Sequence, residues 1–185
     1  CAISLKVQNM EAAGAIAAVI GLVAPGDPTT FSFGGGAYPL IPAYNISQAD
    51  AKVIKTALAA GAVTAKLDPA NVYNLAGVVT GYSSRGPSYW TSYLKPDITA
   101  PGNSYSAVAG SGDQFEFATG TSFASPTVAG VAALMKQKFP TMRGNEIKAL
   151  LVGSADTSTT LFSKALAPVS HIGGGEVQAD AAATA

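Results

Sequence analysis

The stretch GTSFASPTVAGVAAL, residues 120–134, decides the fold of this chain. A glycine, a threonine and a serine are followed by small apolar residues at helical spacing, which predicts a slender helix fit for burial in a larger domain. Proline is tolerated near the start of a helix and not in its interior, so Pro126 predicts a helix that begins close to Ser122. The pattern therefore predicts a hydroxyl at the mouth of a buried helix.

Two roles are open to that hydroxyl. Ser122 or Thr121 could cap the helix, since hydroxyl oxygens commonly accept hydrogen bonds from the first backbone N–H groups. Alternatively, Ser122 is a nucleophile, because a helix N-terminus offers free N–H groups and a positive dipole end to an oxyanion formed on an attacked carbonyl. A nucleophilic serine needs a base and an orienting acid. The chain contains one histidine, His171, in a polar tail, so the local chemistry leaves both roles open.

The composition predicts an extensively buried chain and excludes several partners. Hydrophobic residues make up 48% of the sequence and charged residues 12%, so disorder is not expected. The formal net charge is zero, so the chain does not attract a phosphate backbone or an anionic lipid surface, and we expect neither a nucleic acid nor a membrane partner. No apolar stretch reaches the roughly 20 residues of a transmembrane helix.

Periodicity and turn signals divide the rest of the chain into short elements. They predict helices over 4–13 and 47–61, strands over 15–23, 40–46 and 62–67, a hairpin of 105–109 with 115–118, a helix from 122 to about 139, a helix after it capped by Thr141, and a helical end after a Gly-rich tail. The segment DPAN and the Ser- and Gly-rich loops that follow it predict a domain junction near 68–71. Ser47 is predicted to cap its helix with Asp50 at the N3 position.

Other sites have weaker signals. Asn45 begins an N-glycosylation sequon, but the preferred interpretation of Ser47 is the helix cap. The Gly-rich loop 31–39 lacks the pattern of a phosphate-binding P-loop. No acidic cluster amounts to a calcium site, and we expect no metal site in this chain.

The serine stretch and its neighbours resemble the subtilisin-like serine proteases, the subtilases. GTSFASPTVAG resembles their serine motif, and YSSRGP and LKPDITAPG resemble the two segments that precede it, in the same order. The tail GGGEVQADAA resembles the Gly-rich segment before the last helix. The resemblance implies an α/β fold in which residues 70–185 are the C-terminal part of a three-layer catalytic domain with a mainly parallel sheet.

Residues 1–61 resemble the C-terminal two-thirds of a protease-associated (PA) domain, which many larger subtilases carry between the catalytic histidine and the catalytic serine. The resemblance implies that residues 1–69 are part of a β-rich α/β domain of this type. It also implies that Cys1 lies at a break point inside that domain and that its disulfide partner, if any, lies upstream.

The resemblance implies roles for five residues in the serine region. Ser122 would be the nucleophile and its N–H an oxyanion donor, and Gly120 and Thr121 would shape the turn before it. Tyr82 would line the primed side of the substrate cleft. Phe123, a second expected substrate contact, stands where subtilases often have methionine.

The other members of the catalytic triad are not implied within this chain. Asp97 lies in the KPDITAPG segment and is interpreted as structural, because the family order is aspartate, histidine, then serine. His171 follows the nucleophile in the wrong segment to be the base. The resemblance implies that the triad aspartate and histidine and the oxyanion-hole asparagine belong to a missing N-terminal segment, which would be the partner of this chain.

The implied activity is that of a secreted serine endopeptidase that cleaves protein and peptide substrates through an acyl-enzyme. The resemblance implies no required cofactor; calcium is common in the family. The alternative is a non-catalytic PA-type protein-binding module or an inactive protease fragment. Because part of the catalytic domain would be absent, residues 1–185 alone are expected to fold poorly.

Overall fold

The computed structural model describes residues 3–26, 28, 40–66, 68, 70 and 74–185. Cys1 and the Gly-rich loop 31–39 lie outside the described residues. The chain forms two compact units, Cys1–Asn74 and Leu75–Ala185. The assignment of residues 1–69 to a PA domain and of residues 70–185 to a subtilisin-like domain stays a prediction.

The first unit is built on a parallel pair of short strands. Its elements are α1 (Ile3–Ala12), β1 (Ala18–Gly21), β2 (Ala43–Ile46) and α2 (Gln48–Ala60). Ala18 lies opposite Ala43 in the parallel register, and Val7 and Ala18 are buried. A Cβ atom on Gly21 would lie 2.4 Å from the Cβ atom of Ala51. The glycine therefore allows α2 to pack closely on β1.

The capping prediction for α2 is confirmed. Ser47 is the N-cap, and its Oγ accepts a hydrogen bond of 3.0 Å from the backbone N–H of Asp50. The strand predicted over 62–67 is wrong for residues 62–66, which have no regular secondary structure, and Leu67 lies outside the described residues. These five residues are exposed, so the alternating pattern has no buried face against which a strand could form.

The second unit places a hairpin before its helices. Its elements are β3 (Asn103–Ala107), β4 (Phe115–Thr119), α3 (Thr121–Lys138), α4 (Gly144–Gly153), α5 (Val169–Ile172) and α6 (Ala179–Thr184). β3 and β4 are antiparallel, with Asn103 opposite Thr119. The predicted hairpin and the two helices after it are confirmed, and the tail ends in a helix as predicted.

The cap predicted for α4 is wrong. Its N-cap is Arg143, not Thr141, and α4 begins at Gly144. The Glu146 carboxylate accepts hydrogen bonds from the Arg143 backbone N–H at 2.7 Å and from its Nη2 at 2.9 Å. The hydrogen bonds from Arg143 lower the pKa of Glu146. A carboxylate three residues into the helix therefore fixes the start that a hydroxyl was expected to fix.

The core of the second unit lies where α3, α4 and α6 meet. Its buried members are Met135, Ile147, Leu151, Val177 and Ala182. Although α3 has the composition of a buried helix, Met135 is its one buried residue, and Leu134 is 55% exposed. Within the described residues, most of the surface of α3 therefore has no protein packed on it.

The α/β class is confirmed by this mixture of helices and strands. The sheets are small: each described sheet has two strands, a parallel pair in the first unit and an antiparallel pair in the second. Two isolated parallel bridges, Val78 with Thr160 and Thr99 with Glu176, add to the second unit. No helix in the described ranges has the length and apolar character that crossing a membrane requires.

Candidate active site

The backbone turns from strand to helix immediately before Ser122. β4 ends at Thr119, and α3 begins at Thr121. Gly120 between them has φ 151° and ψ 161°, a conformation that residues with a Cβ atom rarely adopt. Glycine at this position therefore permits the sharp turn that places Ser122 second in the helix, where the side chain is exposed.

A second glycine holds this turn from the neighbouring strand. The backbone N–H of Gly120 donates to the carbonyl oxygen of Gly102 at 2.7 Å, and a Cβ atom on Gly102 would lie 3.0 Å from the carbonyl oxygen of Gly120. Gly102 was not among the site residues predicted from the sequence. The register of the hairpin could have indicated this contact. Asn103 lies opposite Thr119, so the next residues along the two strands, Gly102 and Gly120, lie opposite each other.

The capping interpretation of the hydroxyl is wrong. The N-cap of α3 is Gly120, which has no side chain, and α3 has no side-chain cap hydrogen bond. Among the described residues, the Ser122 and Thr121 hydroxyls make no hydrogen bond. The N–H of Phe123 donates to the Gly120 carbonyl at 3.0 Å, while the N–H groups of Thr121 and Ser122 have no backbone acceptor there. The helix mouth thus presents an unbonded hydroxyl beside unbonded N–H groups.

Pro126 affects the same serine from inside the helix. It is the sixth residue of α3, so it lies in the second turn and not in the first, where it was expected. Proline has no N–H, so the carbonyl of Ser122 lacks the usual bond from the residue four positions on. One turn of helix around Ser122 is therefore less constrained by hydrogen bonds than the rest of α3.

The other predicted site residues are not joined to Ser122 by any hydrogen bond or ring contact in the described part of the chain. Tyr82 is 43% exposed in a turn. Phe123 follows Ser122 in α3, and its carbonyl accepts the Thr127 hydroxyl at 2.8 Å. His171 lies in α5 with Nδ1 3.3 Å from Ser170 Oγ. The roles of Ser122, Gly120, Thr121, Tyr82 and Phe123 in catalysis stay predictions.

Asp97 is paired with two lysines. Its Oδ1 lies 2.7 Å from Lys148 Nζ, and its Oδ2 accepts a hydrogen bond from Lys95 Nζ. The hydrogen bond from Lys148 and then that from Lys95 lower the pKa of the Asp97 carboxyl. Asp97 is therefore ionised at neutral pH and is bonded to lysines instead of orienting a histidine. Across the described ranges, no group of three or more His, Cys, Asp or Glu side chains could hold a metal ion.

Comparison with known proteins identifies the family. The model of the subtilase family, peptidase S8, matches residues 11–175. The chain is 38% identical over 140 residues to the Subtilisin-like protease SBT2.2 of Arabidopsis thaliana, a match covering 66% of this chain and 16% of that protein.

Two further relatives are similar over shorter stretches. The Minor extracellular protease Vpr of Bacillus subtilis (strain 168) is 33% identical over 122 residues, covering 63% of this chain and 15% of the relative. The CO(2)-response secreted protease of Arabidopsis thaliana is 40% identical over 92 residues, covering 43% and 12%. The matches thus span 12% to 16% of the length of these three relatives. Because the family model matches most of its length, the chain belongs to the subtilase family.

Proposed function

We propose that this chain supplies the nucleophile of a secreted serine endopeptidase of the subtilisin type. The observation that carries the proposal is the exposed, unbonded Ser122 hydroxyl at the uncapped N-terminus of an 18-residue helix. The hydroxyl gives its proton to a base and attacks the scissile carbonyl; the peptide C–N bond breaks, the amine leaves with that proton, and water hydrolyses the acyl-enzyme that remains. The Ser122 N–H and the positive end of the α3 dipole stabilise the oxyanion that forms in each step.

The base and its orienting acid come from a polypeptide segment outside these 185 residues, which makes that segment the partner of this chain. The one histidine of the sequence, His171, has Ser170 and not Ser122 beside its ring. Apolar surface on the second unit supports such a partner, because large exposed apolar patches mark interaction sites.

That apolar surface includes a cavity of about 290 Å³ between α3 and α4. It is lined by Ile98, Val128, Ala132, Ile147, Leu151 and Val152, with Asp97 and Lys148 at its polar side. Elsewhere on the second unit, Leu134 of α3 is 55% exposed and Phe117 of β4 is 49% exposed. An added segment would remove this surface from water.

Protein and peptide substrates and secretion are part of the proposal. The printed names of two relatives describe one as extracellular and one as secreted, which supports the same location for this protein. No cofactor takes part in the proposed chemistry, because the serine, a base and backbone donors suffice for acyl transfer.

A fluorophosphonate probe tests the proposal, because it phosphonylates only serines that an assembled active site has activated: the serine oxygen bonds to phosphorus and fluoride leaves. The experiment uses the full-length protein that contains this chain, with variants Ser122→Ala and Ser125→Ala. Ser125 is an exposed serine on the same helix, so it is the matched control. We expect the probe on Ser122, and peptide hydrolysis lower by several orders of magnitude in Ser122→Ala alone.

Two results would contradict the proposal. A folded full-length protein that takes no probe would favour the non-catalytic binding module. Probe on another residue, with hydrolysis unchanged in Ser122→Ala, would assign the nucleophile elsewhere.

A further inference from the structure

Residues 97–102 connect two anchored points of the second unit. At one end, the Asp97 carboxylate is bonded to lysines on either side of it in sequence, Lys95 and Lys148. At the other end, the Gly102 carbonyl accepts the N–H of Gly120, two residues before Ser122. Five peptide bonds therefore join the anchored carboxylate to the turn that holds Ser122.

The middle of this segment is also held in place. Its backbone pairs with the Gly-rich tail. The N–H of Gly174 donates to the backbone carbonyl oxygen of Asp97 at 2.9 Å, and the N–H of Val177 donates to that of Thr99 at 2.8 Å. A Cβ atom on Gly173 would lie 2.3 Å from the carbonyl oxygen of Asp97. The two backbones are therefore held closely together at residues 97 and 99, which limits how far this part of the segment can bend.

The carboxylate also joins the segment to the helix layer. Lys148, 2.7 Å from Asp97 Oδ1, lies on α4. Ile147 and Leu151 of α4 share the core with Met135 of α3. Asp97 thus links the segment that holds the Gly120 turn to α4, which packs against α3, the helix that carries Ser122 near its N-terminus.

We propose that Asp97 is a positioning residue for Ser122, which sets the place of the nucleophile through residues 97–102 and α4 without touching the substrate. The inference rests on the proposed function. A positioning role and a merely structural role differ in the size of their effects on rate and on stability. Partly exposed ion pairs contribute little to stability, whereas a displacement of reacting atoms by about 1 Å lowers rates about 100-fold.

The test compares rate with stability in the full-length protein. Asp97→Asn removes the charge and keeps the shape, Asp97→Glu keeps the charge, and Lys148→Met removes the link to α4. Asp113→Asn, in the exposed loop between β3 and β4, is the control. The readouts are the rate constant for fluorophosphonate labelling of Ser122, kcat and KM for a peptide, and the Tm.

We expect Asp97→Asn to lower the labelling rate and kcat about 10-fold to 100-fold, with KM little changed. The Tm should shift by no more than about 3 °C. The labelling rate and kcat of Lys148→Met should lie between those of Asp97→Asn and those of the unaltered protein. Asp97→Glu should label faster than Asp97→Asn. Asp113→Asn should label at the rate of the unaltered protein.

Labelling of folded Asp97→Asn within about twofold of the unaltered protein would overturn the inference. If Asp97→Asn does not fold, Lys148→Met decides: a folded variant that labels at the unaltered rate overturns the inference, and a slower one supports it. An unaltered protein that refuses the probe would overturn the proposed function and this inference with it. A labelled unaltered protein beside a fast-labelling Asp97→Asn would overturn the inference alone.

Discussion

At the scale of single residues, two glycines and a missing cap make the Ser122 hydroxyl available. A threonine, serine or aspartate at the N-cap would bond the first N–H groups and stabilise α3. Gly120 occupies that position instead and gives no such bond. Its N–H donates a hydrogen bond of 2.7 Å to the carbonyl oxygen of Gly102. The turn therefore gives up a stabilising cap and keeps both hydroxyl and N–H groups open, an arrangement suited to chemistry at this helix end.

Gly120→Ala tests the strain in this turn. A residue with a Cβ atom in this conformation costs about 1–3 kcal/mol, so we expect the free energy of unfolding to fall by that amount and the labelling of Ser122 to slow. Urea unfolding of the full-length protein measures the first effect. Gly153→Ala is the control, since its Cβ atom would meet nothing within 4 Å. Equal stability of the two variants would show that the turn tolerates a side chain.

At the scale of elements, structure set by neighbouring residues was largely predictable from the sequence, whereas pairing between residues far apart in the sequence was not. Ser47 with Asp50, and the hairpin before α3, were predictable because capping and turn signals act over three or four residues. The cap of α4 was not, because its N-cap is Arg143, which is not a usual capping residue, and the Glu146 carboxylate reaches back to the Arg143 N–H. The pairing of Asp97 with Lys148 joins residues 51 positions apart, and no local pattern indicates it.

The Asp97–Lys148 link between the 97–102 segment and α4 should make stability depend on pH. The folded pKa of Asp97 is lowered, so the ionised form contributes stability that is complete above the unfolded pKa of about 3.9 and is lost as the pH falls through the folded pKa. We expect the Tm to fall below about pH 4, and less steeply in Asp97→Asn than in the unaltered protein.

Thermal unfolding at a series of pH values between about 2 and 6 measures this slope. Asp113→Asn should keep the slope of the unaltered protein, which separates the effect of Asp97 from that of the other carboxylates. Superimposable profiles for Asp97→Asn and the unaltered protein would mean that the ion pairs add no pH-dependent stability.

At the scale of the whole molecule, the exposed apolar surface could be predicted only in part from the sequence. The small residues of α3 predicted a helix fit for burial, yet Met135 is its one buried residue. Tyr105, Phe115 and Phe117 form a ring cluster on the hairpin, with centroids 5.9 and 5.2 Å from that of Tyr105. Two of these rings, Tyr105 and Phe115, are 71% exposed. Composition showed that the chain is apolar, but it could not show which faces the chain covers by itself.

The 185-residue chain studied alone should therefore unfold with weak cooperativity. A domain with a complete core absorbs roughly 0.7 kcal/mol per residue on unfolding near 60 °C, and we expect calorimetry to give an enthalpy well below that value, with strong binding of a hydrophobic dye at room temperature. The full-length protein under the same conditions is the reference and should bind little dye. A single sharp transition of the chain alone, at the full enthalpy per residue, would mean that its exposed faces need no cover, and the case for a partner segment on α3 would then fail.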